Sequence, residues 1–192
     1  MSGPAVWGAL LNQIRAAAPA RYVVAGGAIR DYWLGLEPKD IDVFVDTPTR
    51  LDLAQLSLDI NDQSNFDVSL IDIEEYASDD QHLVGCLEGT WTFNDEVWPI
   101  NVVARPALLA GPQSLVNTFD FGILQAWWDL TTREIQTTAA CDFDRDELFA
   151  TLMHDRHPTQ SMKRFMRFQE RNGEVLTFRD PKNYMASAGF PL

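Results

Sequence analysis

The apolar positions of the chain switch repeatedly between helical and strand-like spacing, which predicts a mixed fold. Apolar residues at Val6, Leu10, Leu11 and Ile14 follow the three-to-four-residue spacing of a helix, so a first helix is predicted over 6–18. Further helices are predicted over 28–35, 49–58, 143–154 and 159–171. Short β-branched and aromatic runs predict strands over 22–25, 41–45, 66–71, 90–93, 100–104 and 123–129. Because helices and strands do not strictly alternate, the pattern favours α+β over a doubly wound sheet.

Two adjacent glycines separate the first predicted strand from the helix that follows it, in the stretch YVVAGGAIRDYWLGLEPKDIDVFVD (22–46). A turn without side chains, here Gly26 and Gly27, lets backbone N–H groups approach a phosphate closely. The helix that follows directs its positive end toward the turn. Arg30 and Lys39 add positive charge for a phosphate or for nearby carboxylates.

Two carboxylates, Asp40 and Asp42, begin the next predicted strand. Residues two apart in a strand project from the same face, so these side chains lie together while Ile41 points into the core. Side by side they repel each other, which raises a pKa unless a cation is bound. Mg²⁺ prefers carboxylate oxygens and often shares them with substrate phosphates.

Each of these features also has an ordinary structural explanation. Paired glycines usually form only a turn, and Asp-x-Asp usually marks a strand edge. The ordered combination of strand, Gly-Gly, helix, Asp-x-Asp and strand is much more specific to phosphate chemistry.

The same stretch resembles the head domain of the DNA polymerase β-like nucleotidyltransferase superfamily, in particular CCA-adding enzymes and bacterial poly(A) polymerases. Their pattern GG-x-V-R-D-x-L-L-G-x-x-P-K-D-I-D reads here GGAIRDYWLGLEPKDID. The resemblance implies a nucleotidyltransferase fold, a short mixed sheet flanked by helices. It implies Asp40 and Asp42 as ligands of Mg²⁺ or Mn²⁺ and as catalytic residues. Gly26 and Gly27 would hold the triphosphate, and Arg30 and Asp31 would shape that pocket.

Downstream, the chain departs from the family pattern. The position that aligns with a third carboxylate is Asn101, in WPINVVARP, and Asp67 is the alternative. In NTFDFGILQAWWDL, which loosely resembles the family's R-D-F-T-I-N-A-L, Asp120 matches the Asp but Phe119 replaces the Arg. The large helical RNA-binding part that follows the head in this branch is expected to be absent.

Charge divides the chain into two predicted parts, a head over 1–155 and a basic helical extension over 156–192. The extension has seven Lys and Arg against three Asp and Glu, a net charge of +4, and the head carries −17. An acidic head disfavours long duplex nucleic acid and suits divalent cations. In one interpretation, basic residues of the extension reach a triphosphate or a nucleic-acid end. We favour the other, in which they pair with the acidic head while Phe165, Met166 and Phe168 pack on it.

The remaining features predict a cytoplasmic protein without a membrane span or a disulfide framework. No apolar run approaches the ~20 residues of a spanning helix, and the N-terminus lacks the pattern of a signal peptide. Cys86 and Cys141 are predicted to be reduced and structural, and Trp127 and Trp128 to lie in the core and at its rim.

The predicted function is metal-dependent transfer of a nucleoside monophosphate from a nucleoside triphosphate to a hydroxyl on an RNA end, a protein or a small molecule. The alternative is a catalytically silent relative that binds a nucleotide, RNA or protein as a regulator. The missing third carboxylate favours the alternative, and the intact Gly-Gly and Asp-x-Asp oppose it.

Overall fold

A computed structural model of the protein describes residues 3–47, 49–71, 83–154 and 156–187. The helices are α1 (Pro4–Ala17), α2 (Gly27–Trp33), α3 (Arg50–Asn61), α4 (Pro112–Val116), α5 (Ala139–Glu147), α6 (Pro158–Asn172) and α7 (Tyr184–Ser187). The strands are β1 (Tyr22–Ala25), β2 (Ile41–Val45), β3 (Phe66–Leu70), β4 (Gly85–Phe93), β5 (Glu96–Ala104), β6 (Ala126–Asp129), β7 (Ile135–Thr137), β8 (Phe149–Thr151) and β9 (Thr177–Arg179). Two 3₁₀ turns, Pro106–Ala110 and Gly122–Leu124, complete the described elements.

Seven strands form one mixed sheet in the order β3-β4-β5-β2-β1-β6-β7. Its central pair, β2 and β5, is parallel. The other five pairs of neighbours are antiparallel. β8 and β9 form a separate parallel pair. This arrangement confirms the predicted α+β class with a mixed sheet.

The two faces of the large sheet have different neighbours. On the core face, α1 and α3 bury Trp7, Leu10 and Leu53 against strand residues such as Val43 and Val102. The opposite face, called the site face below, is partly covered by the segment 106–116. That segment packs Leu108, Leu115 and Val116 against Val23, Phe44 and Val103.

A third apolar cluster joins the C-terminal elements to the rest of the molecule. Phe165 and Phe168 of α6 are buried with Phe121 and Ile123. The predicted packing of this helix is therefore present for the two phenylalanines. Met166 was wrongly assigned to that packed side, because it is 52% exposed.

The predicted helix over 143–154 is confirmed only over residues 143–147, and both of its bounds are wrong. Thr138 caps α5 by accepting a hydrogen bond from Cys141 N at 3.2 Å, so the helix starts earlier, at Ala139. The helix ends where Leu148 adopts the left-handed conformation, with φ of 55°, and β8 follows directly. The buried Asp144 carboxylate fixes this break by accepting a hydrogen bond from Thr151 N at 2.9 Å.

Other boundaries shift by smaller amounts. β4 begins at Gly85, five residues before the predicted strand 90–93, and β5 begins at Glu96, four residues before the predicted strand 100–104. The predicted strand 123–129 is a 3₁₀ turn followed by β6. Both cysteines are free and buried, and Trp127 and Trp128 are buried as expected. None of the described helices is both long and apolar enough to cross a membrane.

Candidate nucleotide and metal site

The glycine pair forms a tight turn between β1 and α2. Gly26 has φ of 79°, a conformation that side chains disfavour, and its N–H donates to Ala126 O at 3.2 Å. Its carbonyl accepts from the N–H groups of Ile29 and Arg30, which starts α2 at once. A Cβ on Gly27 would meet nothing closer than the Arg30 guanidinium, at 3.7 Å. The surface over Gly27 is therefore open to a ligand.

The register of the sheet brings this turn to the carboxylates. β1 and β2 are antiparallel, with Val24 opposite Val43, so the end of β1 lies beside the start of β2. Asp42 is half-buried on the site face, and Asp40 directly precedes β2 with 29% of its side chain exposed. Lys39 Nζ lies 3.5 Å from Asp40 Oδ2 and is largely exposed. Four predicted site residues, Gly26, Gly27, Asp40 and Asp42, thus lie at one end of two adjacent strands.

The environment of Asp42 disfavours its negative charge. Burial, followed by the charge of Asp40, raises the pKa of Asp42 to about 6. A hydrogen bond from Asn101 and the charges of Arg105 and Lys39 oppose that rise in pKa without cancelling it. A cation bound between the two carboxylates would remove this cost, which is the behaviour expected of a metal-binding pair.

Asn101 occupies the neighbouring position in space. It pairs with Asp42 across the parallel strands β2 and β5, and its Nδ2 donates to Asp42 Oδ1 at 3.0 Å. Asp67 lies on β3, three strands away, or about 14 Å at the usual spacing of strands. In the part of the chain that the structure describes, no three His, Cys, Asp or Glu residues form a metal-binding group. The donor set fits one divalent cation held by Asp40 and Asp42, with substrate oxygens completing its shell.

Glu88 is a carboxylate near this site that the sequence analysis did not single out. It lies on the site face opposite Asn101, one strand beyond it, and is exposed. Burial, followed by the charges of Asp42, Glu88 and Asp40, raises the pKa of Cys86 to about 12. The alternation in GCLEGTWTF could have placed Glu88 on this face, but the strand was predicted only from Thr90.

Arg30 and Asp31 form a buried ion pair rather than two separate pocket residues. Asp31 is 2% exposed, and its Oδ1 lies 2.6 Å from Arg30 Nη2 and accepts from Arg30 Nε at 2.7 Å. Arg171 of α6 donates to the other oxygen, Asp31 Oδ2, at 3.0 Å. The Arg30 guanidinium also lies 4.0 Å from the ring centroid of Phe168. These contacts hold α6 against α2, and sequence reasoning missed the part played by Arg171.

Phe119 and Asp120 border the site on its other side. The ring of Phe119 packs against Phe44, with centroids 5.4 Å apart, and would lie 3.4 Å from a Cβ on Gly26. An apolar ring therefore stands beside the glycine turn where the family pattern has an arginine. Asp120 forms an ion pair with Arg164 of α6, with 3.1 Å between Asp120 Oδ2 and Arg164 Nη1.

A separate cleft of about 580 Å³ opens at the opposite end of β1, beside Arg21 and Tyr22. None of the predicted site residues lines it. The cleft therefore plays no part in the site described above.

Solved structures with a similar fold include tRNA-processing and CCA-adding enzymes. A tRNA-processing enzyme with CTP superposes with a TM-score of 0.61 at 15% identity, over 91% of this chain and 43% of that chain. The Thermotoga maritima CCA-adding enzyme complexed with tRNA gives 0.57 at 17% identity, over 93% and 39%. A CCA-adding enzyme with CTP gives 0.59 at 17% identity, over 95% and 42%. The fold is thus that of CCA-adding nucleotidyltransferases, and the chain spans about two fifths of the length of these proteins.

The family is defined by a second comparison. Residues 7–148 match the family described as Gad2, Gabija anti-defense 2 family protein, and the chain belongs to it. The match includes the glycine turn, both carboxylates and Asn101. No curated protein sequence matches the chain.

Proposed function

We propose that this protein transfers a nucleoside monophosphate from a nucleoside triphosphate to a hydroxyl group, with release of pyrophosphate, and that this transfer counteracts Gabija defence. One observation carries the proposal. The glycine turn at the end of β1 lies directly beside the carboxylate pair at the start of β2. Backbone donors for phosphates and ligands for a divalent cation are thereby combined at one edge of the sheet.

The residues have distinct proposed roles. The backbone of Gly26 and Gly27 binds the β- and γ-phosphates. Asp40 and Asp42 hold Mg²⁺ or Mn²⁺, which when bound neutralises phosphate charge and stabilises the leaving pyrophosphate. Lys39 adds positive charge at the mouth of the site.

Arg30 contributes to the proposed site in a more restricted way. Its guanidinium is held by Asp31 and stacked on Phe168, so its position is fixed before substrate binds. It shapes the pocket and its charge is felt at Asp42. Nucleoside triphosphates as substrates are supported by two similar solved structures of CCA-adding enzymes, one with CTP and one with ATP; a third is complexed with tRNA.

The test is pyrophosphate release from each of the four nucleoside triphosphates with Mg²⁺ or Mn²⁺, in the presence of Gabija proteins, RNA or small hydroxyl compounds. We expect release by the wild type and a loss of at least about a hundredfold in Asp40→Ala and Asp42→Ala. Asp62→Ala, at an exposed carboxylate after α3, is the matched control and should retain activity. Near-normal transfer by either site variant would contradict the two-carboxylate site.

A silent nucleotide-binding protein is the second candidate, and the bond from Asn101 to Asp42 favours it. Asn101 is 8% exposed and neutral, and its amide already occupies an oxygen of Asp42. If the protein is silent, it should bind a triphosphate with Mg²⁺ but release no pyrophosphate. Transfer by Asn101→Asp but not by the wild type would establish this second candidate.

A further inference from the structure

We infer that the acceptor is a positively charged protein segment bearing a hydroxyl side chain, and that it docks on the exposed part of the site face over β3, β4 and β5. This inference rests on the proposed function and deepens it. It begins from the direction in which the two substrates must approach the carboxylates of β2. The glycine turn, Arg30 and α6 all lie on the β1 side of those carboxylates.

A triphosphate bound at the glycine turn therefore extends away from β5. In an in-line displacement, the attacking oxygen and the leaving pyrophosphate lie on opposite sides of the α-phosphorus. The acceptor hydroxyl must then come from the β5 side, past Asn101. Its oxygen forms a bond to the α-phosphorus and the bond from that phosphorus to the bridging oxygen breaks. Pyrophosphate leaves with the electron pair, and the hydroxyl proton passes to water.

The surface on that side is an open part of the sheet. We call it the open sheet face; it consists of Asp67, Ser69, Glu88, Thr90, Thr92, Val97 and Pro99. Six of these seven residues are exposed, Val97 to 63%, and Thr90 is half-buried. α1 and α3 pack on the other face, and the segment 106–116 covers the region around Phe44 and Val103. The open sheet face spans three strands, or about 10 Å between the outer two, which suits an extended segment rather than a small molecule.

The charge of this surface selects the acceptor. Its charged residues are Glu88 and Asp67, and both are negative. Beyond β5, at the start of β2, Asp42 and Asp40 extend this negative charge across the sheet. Burial is the main cause of the raised pKa of Cys86, and the further contribution of Asp42, Glu88 and Asp40 reflects the same negative potential. An RNA backbone crossing this surface would be repelled, whereas a segment rich in Lys or Arg would be attracted. Basic side chains of this protein are concentrated instead on α6, on the triphosphate side.

The experiment measures binding without triphosphate, by fluorescence anisotropy at low salt with the full-length protein. The probes are a labelled peptide of alternating Lys and Ser, one of alternating Glu and Ser, and a short single-stranded RNA. We expect the Lys–Ser peptide to bind best, and the double variant Glu88→Gln/Asp67→Asn to weaken it about threefold to tenfold. The charge-matched variant Asp146→Asn/Glu147→Gln, on α5, should retain wild-type affinity for this peptide.

The outcomes separate this inference from the proposed function. If both double variants weaken binding of the Lys–Ser peptide equally, the proposed docking surface is wrong. It is also wrong if RNA binds more tightly than the Lys–Ser peptide and if Lys163→Gln/Arg167→Gln on α6 weakens that RNA binding. A second measurement follows labelled nucleotide in the presence of Mg²⁺. Label on the Lys–Ser peptide but not on a Lys–Ala peptide supports both proposals, and label on RNA alone supports only the proposed function. Peptide binding at the open sheet face without any pyrophosphate release contradicts only the proposed function.

Discussion

At the scale of single residues, the site is characterised by a carboxylate kept where its charge is unfavourable. Burial and the charge of Asp40 disfavour the ionised form of Asp42. The amide of Asn101 and the charges of Arg105 and Lys39 favour that form, but they only partly offset the rise in its pKa. A side chain that served the fold alone would not need this arrangement, and a hydrophobic or amide residue would fit the strand better. This cost supports the proposal that Asp42 binds a cation.

This cost can be measured as a dependence of stability on pH. The pKa of Asp42 rises from 3.8 to about 6 on folding, so its ionisation destabilises the folded protein above about pH 6 and does not do so below about pH 4. Without metal, Asp42→Asn should raise the free energy of unfolding by about 2–3 kcal/mol at pH 7.5 and by almost nothing at pH 3.5. Urea unfolding with a chelator at several pH values tests this.

The control for that series is Asp62→Asn, which removes an exposed carboxylate and should change stability little at any pH. Adding Mg²⁺ should stabilise the wild type and not Asp42→Asn. A variant that is less stable than the wild type at pH 7.5 would show that Asp42 serves the fold rather than a cation.

Gly27 gives a second residue-scale prediction. Since its added Cβ meets only Arg30 at 3.7 Å, Gly27→Val should fold, with a loss of stability of about 1 kcal/mol or less. The same side chain would stand where the phosphates approach the backbone, so affinity for a triphosphate with Mg²⁺ should fall at least about tenfold. Calorimetry on wild type, Gly27→Ala and Gly27→Val should give a graded loss. Equal affinity in all three would place the phosphates elsewhere.

The sequence predicted these residues because their spacing is local. Gly26, Gly27, Asp40 and Asp42 fall within one strand-turn-helix-strand unit, whose geometry follows from the chain itself. Glu88 and Arg171 were missed because their relation to the site depends on which strands pair and where α6 packs. No periodicity within their own segments encodes that information.

At the scale of elements, α6 is fixed to α2 by both charge and apolar contact. Arg171 completes the pairing of the buried Asp31, and Phe168 lies under the Arg30 guanidinium. The amphipathic pattern of α6 predicted that it packs on the head, but it did not predict that the contact is made behind the glycine turn. The break after α5 shows the same limit, since Asp144 sets it by bonding Ile123 and Thr151 from other segments.

The contact between α6 and α2 leads to a prediction with an internal control. Arg171→Met removes one of two cations from a buried carboxylate and should cost about 1–3 kcal/mol of stability. Because Arg30 is then held less firmly, triphosphate affinity should also fall. Arg167→Met changes an exposed cation that donates a hydrogen bond to Lys163 O within its own helix, and the stability should stay within about 0.5 kcal/mol of the wild type. Thermal unfolding and calorimetry compare the two, and equal effects would contradict a specific role for Arg171.

At the scale of the whole molecule, charge limits which substrates the protein can hold. Residues 1–155 carry −17 and residues 156–192 carry +4, and part of that positive charge is paired with Asp31 and Asp120. Affinity for a nucleic-acid backbone comes largely from the release of counterions by many cationic contacts. The exposed cations of α6 can make only a few such contacts, and the acidic head opposes wrapping of a long RNA.

We therefore predict that this protein of 192 residues does not add C, C and A to tRNA, although its fold is that of enzymes that do. The shared fold contains the proposed triphosphate site. Holding tRNA requires in addition an extended basic surface. The protein is incubated at low salt with tRNA lacking its 3′ end, all four triphosphates and Mg²⁺, and the products are separated by length. Pyrophosphate release with another acceptor in parallel shows that the protein is active. We expect no lengthened tRNA. Efficient, specific addition of C, C and A would show that the cations of α6 suffice to hold tRNA. It would also contradict the inference that the acidic open sheet face selects a basic protein segment as the acceptor.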